Sequence, residues 1–422
     1  MQSSGLHKLR NILQPMGRHR QLLSRWLLSC VVFLSAFPQQ EASAQAAKER
    51  TFSSQRLTQI NYVLQRLDSQ QVKDGSDPVF LVGSYPSYIH HRRHFKKKKK
   101  DITIFFNILI DITLKSVRSQ LPDSLQTKID TLLHRSAAIY PRFYNQKRGS
   151  YNFWLRDSAY RFPYSWWIPI IKKNGAVPDD MDDTVLSRFV DPKGGKDSLE
   201  NLHQRMQAYT HKQGEKLRTA PRAYRNYATY STWFGKKFPV VLDGVVLSNI
   251  LSFVNHYALP WTGADSAALR FIIQTVRSGD YINRPLAISP YYGKTSIILY
   301  HYSRLMQQGR LPALDSLRPE LIRTCHHLLN AGTGTALMEK IIAANALVWL
   351  GEPAPELSLP GRKNWKEQIE HSDFAYFIGN IPSYMPRPVQ GALTGINGLM
   401  YYHYCPAFND ALVLQYLVSN PG

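Results

Sequence analysis

The stretch Pro178-Asp179-Asp180-Met181-Asp182-Asp183-Thr184 places four carboxylates at the start of a segment in which Val185, Leu186, Phe189 and Val190 recur at helical spacing. One or two acids suffice for a helix start: Asp179 or Asp180 can cap, and the others favour the positive end of the helix dipole. The remainder is excess, because crowded carboxylates repel unless a proton or a cation is shared among them. Two functional readings use that repulsion. Either one of Asp180, Asp182 and Asp183 keeps its proton near neutral pH and acts as a general acid, or Asp179 and Asp180 contribute oxygen ligands to a divalent cation.

Working outward from this string, apolar residues repeat every three or four positions in segment after segment. The spacing predicts helices at Ser53–Gln71, Asp101–Leu121, Pro122–Tyr140, Val240–Tyr257, Ala264–Arg277, Tyr291–Met306, Leu314–Asn330, Thr335–Leu350 and Asp410–Leu417. Pro, Gly and Asn separate them at intervals that suit repeated antiparallel helix pairs. Alternation of the strand type is scarce, so the expected class is all-α. Two aromatic stretches, Tyr140–Trp167 and Tyr224–Phe234, lack regular period and read as loop or rim, as does Tyr85-Pro86-Ser87-Tyr88.

At Asp180-Met181-Asp182-Asp183-Thr184 the chain resembles the Asp-x-Asp-Asp-Thr signature of class II terpene cyclases, the squalene-hopene cyclase group. That resemblance implies an α/α toroid of inner and outer helices, a fold shared with protein prenyltransferase β subunits. It also implies Asp182 as the acid that protonates an alkene or epoxide, with Asp180 and Asp183 orienting and polarising it. Cavity aromatics in that family stabilise carbocations through their π faces. By analogy Tyr151, Trp154, Trp166, Trp167, Tyr230 and Trp233 are candidates to contact substrate, although core packing or a sugar-stacking rim uses the same residues. The Gln- and Trp-containing repeats of the triterpene cyclases are missing, and the length allows one toroid where those enzymes use two.

Asp243 and Asn249 interrupt the apolar run Leu242–Asn249, and buried polar groups demand partners, so they are further candidates for a cavity wall. Six residues apart, they do not share one helix face. Ser289-Pro290-Tyr291-Tyr292-Gly293 reads as a loop entering a helix with its tyrosines at a cavity mouth. The adjacent His326 and His327 diverge by about 100° on a helix and do not grip one metal ion. Neither a Gly-x-Ser-x-Gly elbow nor a His-Glu-x-x-His motif occurs, which argues against common hydrolases and zinc proteases.

The amino-terminal segment carries Lys8, Arg10, Arg18, Arg20 and Arg25, then the apolar run Trp26–Phe37, then Ala42-Ser43-Ala44. That order is a cleavable export signal over 1–44, removed near Ala44, ahead of a single domain at 45–422 in the periplasm or outside the cell. A run of about 12 apolar residues is short of the roughly 20 needed to span a membrane. The formal charge of +22 is concentrated in this leader and in the block Arg92, Arg93 and Lys96–Lys100, read as an exposed basic loop at 90–100 available to an anionic surface. No nucleic-acid motif accompanies it. Cys30 leaves with the signal, and Cys325 and Cys405 then stand at even odds of pairing in an oxidising compartment. The expected function is an acid-dependent cyclase, lyase or hydrolase. A non-catalytic binder of a glycan, peptide or lipid is the alternative.

Overall fold

The predicted helices form, and they divide into those buried on all sides and those buried along one stripe. The computed structural model describes residues 52–91, 98–155, 177–212, 214–236, 238–332, 336–372, 374–394, 396 and 399–420. The longer helices are α1 (Ser54–Gln70), α2 (Ile104–Arg118), α3 (Asp123–Ala137), α4 (Met181–Ser187), α5 (Lys196–Met206) and α6 (Gly244–His256). They continue as α7 (Gly263–Arg277), α8 (Thr295–Gln307), α9 (Arg318–Asn330), α10 (Leu337–Trp349) and α11 (Pro406–Ser419). Their starts follow local chemistry. Ser53 caps α1 by accepting from the Arg56 N–H, Thr262 and Asp265 form a reciprocal capping box on α7, and Pro406 occupies the first turn of α11.

Every residue of α4 is buried, as is every residue of α6 from Gly244 to Asn255 and of α11 from Pro406 to Val418. By contrast α1 buries only the stripe Arg56, Ile60, Val63, Leu64 and Leu67, and α9 only Leu321, Thr324, Cys325 and Leu329. A helix apolar all round has neighbours all round, whereas a stripe covers a single face. The contacts agree with that division. α4 packs on α6, α6 on α8, α8 on α10, α10 on α11, α11 on α2, and α2 on α4. The striped helices lie against them, α7 on α6, α9 on α8 and α10, α3 on α2, and α1 on α11.

The all-α expectation is corrected: the chain is mostly helical but carries small sheets. Strands β1 (Ser87–His91), β2 (Lys99–Asp101), β3 (Tyr144–Asn145), β4 (Ser150–Tyr151), β5 (Phe377–Asn380) and β6 (Met400–Tyr404) pair antiparallel, four of them in the order β2-β1-β6-β5. In register, His403 of β6 stands opposite Ile89 on one side and Phe377 on the other. These strands escape pattern reading because β5 and nearly all of β6 are buried on both faces, and β2 holds only Lys and Asp. Long-range pairing, not local alternation, makes them strands.

Three further expectations change. The ends of the basic block are strand residues, His90 and His91 in β1 and Lys99 and Lys100 in β2, with Lys100 ion-paired to Asp77 at 2.5 Å, while Arg92, Arg93, Lys96 and Lys97 lie outside the described residues. Cys325 and Cys405 are both buried free thiols. α5 occupies a stretch that showed no helix signal, because it buries only Leu199, Leu202, His203 and Met206. The export signal lies outside the described residues.

Ile250 sits in the middle of α6 with no exposed surface. Ile250→Ala is expected to destabilise the fold by about 2–5 kcal/mol, the ordinary cost of truncating a fully buried aliphatic side chain, read as a lowered urea midpoint at an unchanged slope.

Candidate functional site

The acidic segment is fixed first by its backbone. The Asp180 N–H donates to the Tyr151 carbonyl at 2.9 Å, the Met181 N–H to that of Thr232 at 2.9 Å, and the Phe234 N–H to that of Asp179 at 2.9 Å. The two aromatic stretches therefore flank the motif as strand-like rails. Between them Asp180 takes an extended conformation and caps α4, accepting from the N–H groups of Asp182 at 2.7 Å and Asp183 at 3.1 Å. The capping expectation is thus met by one residue, and the other three acids have separate fates.

Asp179 is an ion-pair member. Its carboxylate accepts from Arg148 Nε at 2.6 Å and Nη2 at 2.8 Å and from Ser150 Oγ at 2.5 Å. Burial alone would push its pKa up, but these donors outweigh burial and hold it below the ordinary carboxylate value. Asp182 also has both oxygens engaged, Oδ1 accepting from Asn249 Nδ2 at 2.7 Å and Oδ2 from the Tyr292 hydroxyl. Asn249 in turn is held by two donors on α8: its Oδ1 lies 2.8 Å from His301 Nδ1 and 2.6 Å from Arg304 Nη2. An amide oxygen only accepts, so His301 carries its hydrogen on Nδ1 and accepts at Nε2 from the Tyr376 hydroxyl at 2.9 Å. Burial, helped by Arg304, drives the His301 pKa well below its usual value, so this imidazole is neutral.

Asp183 differs from all its neighbours. It is 1 % exposed, and neither oxygen has a hydrogen-bond partner. Burial, then the charges of Asp180 and Asp182, raise its pKa well above the carboxylate norm. Asp180 and Asp182 are raised by burial too, but backbone N–H groups oppose the shift at Asp180, and Tyr292 and Asn249 oppose it at Asp182. Nothing opposes it at Asp183. The cluster therefore stores a proton on the one carboxyl group that no donor stabilises as an anion.

The remaining sequence candidates separate cleanly. Asp243 is the cap of α6 rather than an interior helix residue, accepting from Val245 and Val246, from the Ser289 hydroxyl and from the Tyr291 N–H at 2.9 Å. Burial lifts it to about 7 against these donors. Asn249 is at the centre, on Asp182. Trp233 stands at the edge, its indole donating to Tyr291 Oη at 2.9 Å, and the Trp154 indole donates to Asp101 Oδ1 at 3.1 Å. Tyr151 is committed to Asp191 at 2.7 Å, and Tyr230 to Asp265 at 2.8 Å beside His203. Trp166 and Trp167 lie outside the described residues. Tyr292, expected at a cavity mouth, is on Asp182, whereas His301, Arg304 and Tyr376 carry no expectation from the sequence. The available signal was a histidine and an arginine three apart within the apolar Thr295–Gln307 segment.

Above the acids lies an aromatic plug. The ring of Phe377 on β5 packs 5.1 Å from Phe105, 5.1 Å from Phe153, 5.6 Å from Tyr292 and 5.4 Å from the imidazole of His403. A cavity of about 480 Å³ between the ends of α7 and α9, lined by Arg277 and Glu320 among others, shares no residue with the cluster. Among the described residues, no three His, Cys, Asp or Glu side chains gather as a metal-ligand set. Compared with known proteins, the chain matches no family model, no curated protein and no solved structure.

The proton held by Asp183 has a thermodynamic signature. A carboxyl group whose folded pKa exceeds its unfolded value of about 3.9 binds a proton more tightly in the fold, so its contribution to stability falls as pH rises from about 4 through the folded value. Asp179, with its pKa depressed, contributes stability above the unfolded value and loses it as pH falls through the folded one. Asp183→Asn is therefore expected to lose less stability between about pH 5 and about pH 8 than the wild type does, measured by urea unfolding at each pH.

Proposed function

We propose that the chain is an acid catalyst in which Asp183 donates the proton and Asp182, braced by Tyr292 and Asn249, carries negative charge beside it. The observation that carries this reading is the pair of buried, unpartnered oxygens on Asp183 next to two further carboxyl groups. A group raised in this way is a reservoir of protons at neutral pH but a weaker acid. It suits transfer to an oxygen that gains basicity as its bond to carbon breaks, as in epoxide opening or the departure of an alkoxide. Bare alkene protonation asks for a stronger acid. The reading thus keeps cyclase, lyase and hydrolase chemistry together through C–O cleavage assisted by a general acid.

The circuit of helices α2, α4, α6, α8, α10 and α11, with the striped helices against it, is here read as the inner ring of an α/α toroid. Asp180 and Asp243 both cap members of that ring, α4 and α6, at their amino-terminal ends. We further take the leader to export the protein, on the sequence alone, and Arg92, Arg93 and Lys96–Lys100 to favour an anionic surface.

Metabolite capture with purified full-length protein, alongside Asp183→Asn and Asp182→Asn, tests the assignment. Wild type is expected to convert its ligand, with a rate that falls as pH rises and the acid loses its proton. Asp183→Asn is expected to retain the ligand and turn it over about 10²–10⁴-fold more slowly. Equal capture with no turnover by any form would establish a binding protein instead.

A further inference from the structure

A second group of buried polar atoms lies across the aromatic plug and takes no part in the acid cluster. His403 on β6 is 2 % exposed, and neither ring nitrogen has a hydrogen-bond partner. Its Nδ1 lies 3.2 Å from Asp101 Oδ2, within ion-pair distance but off line for a hydrogen bond. The other Asp101 oxygen is held by the Trp154 indole at 3.1 Å, and the Ser87 hydroxyl fixes the Asp101 backbone carbonyl at 2.5 Å. Asp101 is thereby anchored from two sides while His403 offers Nε2 to the interior. The edges of Phe153 and Phe377 meet that imidazole at 5.7 and 5.4 Å. Asp101 lies beside it, and His90 on neighbouring β1 is within its electrostatic reach.

We propose that Asp101 and His403 form the proton-accepting half of the site, with His403 Nε2 removing a proton from substrate carbon while Asp101 stabilises the imidazolium that results. The proposal rests on the acid reading of Asp183 and narrows it to an elimination. The carbon–oxygen bond breaks as Asp183 protonates the departing oxygen. The adjacent carbon–hydrogen bond breaks as its proton passes to Nε2, and the released pair becomes the new carbon–carbon double bond. Protons return to Asp183 and leave His403 by exchange with solvent after product departs. Hydrolysis is disfavoured because a catalytic water needs two to four polar partners, whereas the imidazole meets aromatic edges and Asp101. One ring, Phe377, touches both His403 and the Tyr292 that holds Asp182. A substrate reaching both halves takes the place of that ring. The substrate class is a molecule bearing a hydroxyl or ether oxygen one carbon away from an acidic carbon–hydrogen bond.

The test uses the full chain labelled with ¹³C and ¹⁵N at histidine. The His403 resonances are assigned by their loss in His403→Gln. His403 is expected to carry its hydrogen on Nδ1, facing Asp101, and Asp101→Leu to shift the tautomer toward Nε2. A hydrogen on Nε2 in the unaltered chain, or a tautomer indifferent to Asp101→Leu, overturns the proposal. A kinetic arm then separates it from the reading beneath it, using a β-aryloxy ketone with a nitrophenoxide leaving group and its β-methoxy counterpart. Nitrophenoxide departs without an acid, so His403→Gln should slow both probes at least tenfold and Asp183→Asn only the methoxy one. Unimpaired His403→Gln rejects the base. Unimpaired Asp183→Asn with impaired His403→Gln rejects the acid and leaves the base standing. If both probes are inert, the tautomer of His403 alone decides.

Discussion

Electrostatic repulsion among carboxyl groups out of reach of water is the constraint on which this structure turns. Asp179, Asp180, Asp182 and Asp183 are all buried, yet among the described residues only Asp179 is ion-paired, to Arg148. Desolvating a charge is costly unless it is paired, so the remaining three share protons and borrow donors from as far away as α6 and α8. Asn249, Tyr292, His301 and Arg304 form the resulting scaffold. Their positions explain why the otherwise buried faces of α6 and α8 carry an amide and an imidazole in their middle turns and a guanidinium in the last turn of α8.

The same constraint assigns different tasks to chemically identical side chains. The helix amino-terminus satisfies Asp180, an external arginine satisfies Asp179, and a hydroxyl with an amide satisfies Asp182. Asp183 is left without any of these. Resemblance to the cyclase motif nominates Asp182 as the acid, whereas the hydrogen bonds give each Asp182 oxygen a donor and leave both Asp183 oxygens with none. The local environment, more than the position in the motif, separates the roles.

Much of this was legible in the chain. The helix at Ser53–Gln71 and the pair joined at Pro122 follow from period and capping chemistry, which are local. So does the start of α4, where an Asp precedes an apolar run. Asp243 reads as inside its helix because the apolar residues Val240–Leu242 continue the pattern across the boundary that Asp243 itself sets by capping Val245 and Val246. β2, β5 and β6 were illegible for a different reason: Lys99-Lys100-Asp101 becomes a strand solely through pairing with Ser87–Ile89. His403 could not be linked to Asp101 before that sheet joined residues some 300 positions apart in the chain.

The two thiols have a consequence for how the molecule matures. Cys325 lies on the buried stripe of α9, and Cys405 precedes the fully buried α11. Burial raises both thiols to about 12, so neither offers a thiolate to an oxidant once the chain has folded. Among the described residues the fold thus needs no disulfide, and it is as well suited to a reducing medium as to an oxidising one. That independence of redox state makes recombinant production inside an ordinary bacterial cytoplasm a natural route to the material.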